Sequence, residues 1–146
     1  MTAFVDTNIL VYAFDADERS KQQAAQSLLL DAPDRLVVST QVLHEFYVTV
    51  TRRFRRLLEP DQAAAEVERF SRLPVVVTDV PLIRAAIVTS RAYPISYWDA
   101  LIVEAAVAAG CDRILTEDLG DGDVIRGVRI ENPFRSIGGD AQPPAG

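Results

Sequence analysis

The chain has 146 residues, 49% of them hydrophobic and 25% charged, with one cysteine, Cys111. That composition suits one ordinary domain with a real core, and it excludes wholesale disorder, a disulfide framework and a multi-cysteine zinc site. Twenty-one acids against 15 basic residues leave a net charge of −6, which argues against holding nucleic acid by bulk electrostatics, although acids collected in one metal site would weaken that guide.

In chain order, the apolar run Ala3–Asp6 reads as a strand that stops at an acid, and TNILVYAF then starts a short helix capped by Asp6 or Thr7. A polar stretch from Asp15 to Ser20 leads into a helix ending near Leu30. Pro33 and Asp34 punctuate the chain, and Arg35–Ser39 reads as a buried strand. Ser39 or Thr40 opens a long helix expected to reach about Leu58, and Pro60 sits where a first helical turn tolerates it. A third strand is expected over Pro74–Thr78, then a helix from Pro81 to Ala92. A nearly all-apolar helix follows, closed by Gly110, with strands over Asp112–Thr116 and Val128–Glu131. Residues 1–137 form the expected domain, and 138–146, rich in glycine and proline, an expected disordered tail. Alternating strands and helices indicate a parallel sheet covered on both faces, whose functional crevice lies at the carboxyl ends of the strands.

Acids just after strands therefore matter most. Asp6 ends the first strand, and alone it reads as a cap or turn residue, as do Thr7 and Asn8 beside it. Asp99 lies in the first turn of an apolar helix, where Ser96-x-x-Asp99 also matches a capping box. Glu45 falls well off the stripe made by Leu43, Phe46, Tyr47, Val50 and Phe54, so periodicity makes it a surface residue. Asp118 follows the fourth strand in TEDLGDGD, which lacks the closing glutamate of an EF-hand loop. Taken together, oxygen-only acids on separate elements, without a histidine or cysteine set, select Mg²⁺ or Mn²⁺ over zinc. Gathered carboxylates repel one another, and a cation relieves that repulsion.

The ordered set FVDTNILVYAFD, HEFYV, YWDALIVEAAVAAGCDRILTED and GVRIENPF resembles PIN-domain proteins, and more narrowly the VapC-type toxins of bacterial toxin–antitoxin pairs, over about Thr2 to Phe134. The resemblance implies a three-layer α/β/α sandwich around a mainly parallel sheet of four to five strands. It also implies a metal-dependent endoribonuclease that hydrolyses RNA with metal-activated water. The family's four acids map onto Asp6, Glu45, Asp99 and Asp118, and its supporting positions onto Thr7, Asn8 and Thr116. Glu117, Asp121 and Asp123 stand beside Asp118 as alternatives for the fourth place. Mg²⁺ or Mn²⁺ is the implied cofactor. An RNA substrate, a cognate antitoxin and a homodimer are the implied partners.

On the substrate side, Arg52, Arg53, Arg55 and Arg56 crowd the end of the helix that carries Glu45. Arg52 shares a helical face with Arg55 and Arg56, which makes phosphate contact an alternative to a solvated helix end. Tyr93, Tyr97 and Trp98, before Asp99, suit packing better than base stacking. A non-catalytic PIN-fold module that binds nucleic acid or a partner is the main alternative. A haloacid dehalogenase-type phosphatase would need an acid where Asn8 stands. With no membrane-length apolar run and no leader pattern, a cytoplasmic protein without membrane attachment is expected.

Overall fold

A computed structural model describes residues 1–31 and 35–140. Pro33, Asp34 and residues 141–146 of the expected tail lie outside the described residues. Six strands form one sheet in the order β3-β2-β1-β4-β6-β5: β1 (Thr2–Val5), β2 (Arg35–Ser39), β3 (Val75–Val76), β4 (Arg113–Leu115), β5 (Val124–Ile125) and β6 (Val128–Glu131). All neighbours are parallel except β5 and β6, a short hairpin. The count exceeds the expected four to five because Val124–Ile125 pairs back on Val128 and Arg129 through a turn with Arg126 at φ 54° and Gly127 at φ 78°. Two residues are too few to leave an alternation pattern in the sequence.

β1 lies between β2 and β4, with Phe4 opposite Val37 on one side and Ile114 on the other. A strand covered on both faces buries every residue, and Ala3, Phe4 and Val5 are wholly buried. Helices α1 (Thr7–Tyr12), α2 (Arg19–Asp31), α3 (Thr40–Val50) and α4 (Pro60–Phe70) pack on one another, and α5 (Val80–Ala92) packs on α6 (Tyr97–Ala108). Helices and sheet together make a three-layer α/β/α sandwich. Phe14, Phe46 and Phe70 interlock under α3 and α4, with ring centroids 5.3 to 6.5 Å apart. A last helix, α7 (Arg135–Asp140), takes in the first three residues of the expected tail.

The helix carrying Glu45 is shorter than expected: it ends at Val50 rather than near Leu58. The Val50 carbonyl accepts from both Leu57 and Leu58 amides, at 2.9 and 3.0 Å, so the chain folds back on the helix end. Four arginines in five positions would have placed like charges at i, i+3 and i, i+4, and Phe54 among them is 95% exposed. The helical-face argument for Arg52, Arg55 and Arg56 therefore does not hold, because these residues lie in a loop. The apolar stripe also differs. The buried side of α3 is Val42, Phe46 and Val50, whereas Tyr47 and Phe54 face solvent.

Candidate active site

Asp6 sits at the carboxyl end of the central strand. Its amide donates to the Leu115 carbonyl of β4 at 3.0 Å, fixing it between two strand ends. As the cap of α1 it accepts from the Thr7 amide at 2.7 Å, and its other oxygen accepts from the Thr116 hydroxyl at 2.8 Å. Only 5% of Asp6 is exposed. Burial pushes its carboxyl up from 3.8 to about 6, against the lowering effect of the Thr116 and Thr7 hydrogen bonds, and the charges of Asp118 and Glu45 push it further in the same direction.

Thr116 is the junction of the site. Wholly buried, its hydroxyl donates to Asp6 while accepting from Asn8 Nδ2 at 3.3 Å and from the Asp118 amide at 3.1 Å. Asn8 Nδ2 also donates to Asp118 Oδ2 at 2.9 Å. These bonds join the start of α1 to the loop after β4. Buried Asn8 Oδ1 has no hydrogen-bond partner among the described residues, an open acceptor on the side chain that bonds Asp118.

Glu45 is half-buried rather than on the open surface. The Thr7 hydroxyl donates to its Oε2 at 2.9 Å, and Gln41, one turn earlier on α3, donates to its Oε1 at 3.0 Å. The α1–α3 contact turns this glutamate toward the strand ends, which periodicity within one helix does not report. Gln41 also reaches the Trp98 carbonyl at 3.4 Å, linking α3 to the start of α6. In the sequence its one signal is the i, i+4 spacing to Glu45.

Asp99 is half-buried in the first turn of α6, with its amide donating to Ser96 Oγ at 3.0 Å. Burial raises its carboxyl above the usual range, the Ser96 hydroxyl opposes this, and the charges of Asp118 and Glu45 add to the rise. Asp6 and Asp99 thus both feel Asp118 and Glu45, and the four acids share one electrostatic neighbourhood.

Two of the three neighbouring acids have partners of their own. Glu117 accepts from Tyr12 and Lys21. Asp121 accepts from the Asn132 amide and pairs with Arg135 at 2.8 Å. Asp123 lies against the backbone of Gly120, where a side chain at 120 would collide with it, and it lines one pocket with Asp99 and Asp118. A groove of about 530 Å³ runs from Glu45 and Asp118 past Val11 and Val48 to Arg52 and Arg55. Arg55 is held by buried Asp15 at 2.9 Å, Arg56 pairs with Glu59, and Arg53 stacks over the exposed Phe54 ring.

Among the described residues, no three acid, histidine or cysteine side chains converge closely enough to hold a metal ion. Asp6, Glu45 and Asp118 instead turn to the hydrogen-bond donors named above. The donor chemistry nevertheless fits a hard divalent cation: all-oxygen ligands, carboxyls of Asp6 and Asp99 raised by burial first and by the charges of Asp118 and Glu45 second, and an unpartnered oxygen on Asn8, whose amide nitrogen bonds Asp118.

No curated protein sequence matches the chain. Solved structures do. VapC20 of Mycobacterium tuberculosis, a sarcin–ricin loop cleaving toxin, is 20% identical with a TM-score of 0.62, covering 87% of this chain and 98% of that one. VapBC2 of Rickettsia felis, solved on a promoter DNA fragment, is 22% identical with a TM-score of 0.62 over 90% and 98%. A Klebsiella pneumoniae toxin–antitoxin complex is 20% identical with a TM-score of 0.66 over 90% and 98%. The likeness to these structures is one of fold. The PIN domain family model matches residues 3–120, from β1 past β4, a span that includes Asp6, Glu45, Asp99 and Asp118, and on that match the chain belongs to the PIN-domain family.

Proposed function

We propose that the protein is a Mg²⁺- or Mn²⁺-dependent endoribonuclease acting as the toxin of a VapC-type toxin–antitoxin pair in the cytoplasm. The observation that carries this is a set of acids on separate elements in which Glu45 and Asp118 line one groove and their charges reach Asp6 and Asp99. Asp6, Glu45, Asp99 and Asp118 are the residues that would hold the cation. When bound, it would supply Lewis-acid activation of water and neutralise charge developing on phosphate. Thr116, Asn8 and Thr7 aim three of these carboxylates through the bonds described above. Val11 and Val48 line the groove, and Arg52 and Arg55, which line it too, suit phosphates of an RNA strand leading away from the acids. Arg55 is preorganised by Asp15, and Arg52 is exposed beside it.

The structural relatives include toxin–antitoxin complexes, which supports an antitoxin partner; in this reading that partner covers the acids with a basic side chain. A homodimer is part of the same reading. No helix among the described residues is long and apolar enough to cross a membrane. A second reading, a non-catalytic PIN-fold module that binds nucleic acid or a partner, is favoured by one observation: the acid side chains do not enclose a cation as placed.

RNA cleavage by antitoxin-free protein in Mg²⁺, Mn²⁺ or EDTA, beside Asp99→Asn, tests the two readings. Cutting that needs the metal and disappears in the variant supports the nuclease. Retained RNA binding with neither cutting nor Mn²⁺ binding supports the module.

A further inference from the structure

Lys21 is the one lysine among 15 basic residues, and it does not behave as a surface cation. Its ammonium lies 3.2 Å from Glu117 Oε2 and 3.3 Å from the Tyr12 hydroxyl. It also sits 4.8 Å from the centre of the Tyr12 ring and 5.8 Å from that of Phe134, and those two rings meet edge to face. Tyr12 in turn donates to Glu117 Oε1 at 2.6 Å. Both oxygens of Glu117 are therefore taken, although this acid lines the same groove as its neighbour Asp118. A compact ammonium can serve a carboxylate, a hydroxyl and two rings at once, whereas a planar guanidinium needs a wider, flatter seat.

We propose that Lys21 and Tyr12 are positioning residues that hold Glu117 out of the cation site, so that Asp118 alone of this adjacent pair is presented to it. The inference rests on reading Asp6, Glu45, Asp99 and Asp118 as that site. Without the clamp, Glu117 is a fifth carboxylate at the rim of the groove, and affinity for a hard cation rises with the number of carboxylates.

The test is Mn²⁺ binding by full-length protein, read from the electron paramagnetic resonance signal of free Mn²⁺, with circular dichroism to verify folding. Lys21→Met is expected to bind Mn²⁺ roughly tenfold more tightly. Glu117→Gln, which leaves the ammonium unpaired, should bind no more tightly than the unaltered chain, and the double variant should return to that chain's value. If Lys21→Met does not fold, Tyr12→Phe, which frees only Oε1, should shift affinity in the same direction by less. A folded Lys21→Met or Tyr12→Phe with unchanged affinity overturns the proposal. So does weaker binding in the double variant than in the unaltered chain, since the local charge is then unchanged and Glu117 would itself be a ligand. Failure of the underlying reading has a separate signature, in which Asp6→Asn and Asp118→Asn leave Mn²⁺ binding untouched; that result overturns both.

Discussion

The Thr7 hydroxyl donates to Glu45 Oε2 at 2.9 Å across 38 residues of sequence, tying the first turn of α1 to the middle of α3. The bond converts a glutamate that periodicity assigns to the surface into a member of the acid group. Thr7→Val keeps the shape of the side chain and removes the donor. The expected outcome is a loss of about 1 kcal/mol of stability and a 10- to 100-fold fall in RNA cleavage, on the scale of losing a group that orients a metal ligand. Thr7→Ser should retain most of the activity. Single-turnover cleavage beside thermal unfolding checks both.

Asp6 should give the metal-free protein a distinctive pH profile. Its folded carboxyl is raised from 3.8 to about 6, so the folded chain binds this proton more tightly than the unfolded one. The resulting stabilisation is fully present below about pH 4 and is lost as pH rises through about 6, where the buried group ionises. The loss amounts to at most about 3 kcal/mol. Asp6→Asn removes that cost in exchange for the hydrogen bond from Thr116, worth about 1 kcal/mol. Thermal unfolding in EDTA should show a higher Tm at pH 8 and a flatter profile between pH 4 and 7. The same slope in wild type and variant would assign it to other groups.

Of the four clustered arginines, Arg52 and Arg55 line the groove. Arg52→Ala should weaken binding of an uncleaved RNA several-fold and lower the slope of affinity against salt by about one, the signature of a lost phosphate contact. Arg53→Ala and Arg56→Ala, outside the groove lining, should stay near wild type. Equal effects at all four positions would remove the groove as the path of the strand.

Glu104 lies in the apolar middle of α6, 4% exposed, and accepts from Thr89 on α5 and from Arg126 in the β5–β6 turn. It therefore ties the helix of Asp99 to the hairpin that follows the Asp118 loop. Arg126→Ala leaves a buried carboxylate without its cation and should lower Tm. Adding Glu104→Gln, which neutralises the charge and keeps an acceptor for Thr89, should recover part of the loss. Thermal unfolding of the single and double variants measures the coupling, and strictly additive changes would argue against it.

Much of the chain is readable without coordinates. The apolar runs of β1, β2, β4 and β6, the caps at Asp6, Ser39 and Ser96, and the glycine after α6 are local features. Short-range sterics and hydrogen bonding write them into neighbouring residues. The α/β alternation and the placing of acids after strands follow from the same local signals.

Tertiary structure decided the rest. Which way Glu45 faces depends on Thr7, which arginines of the cluster meet the groove depends on the chain turning back at Val50, and Glu117 is withdrawn by a lysine 96 residues away. Periodicity within one helix records the face that packs against its own core. It holds no information about a polar partner brought in by another element, because such a contact depends on loop closure and on the packing of whole helices rather than on residues near in sequence.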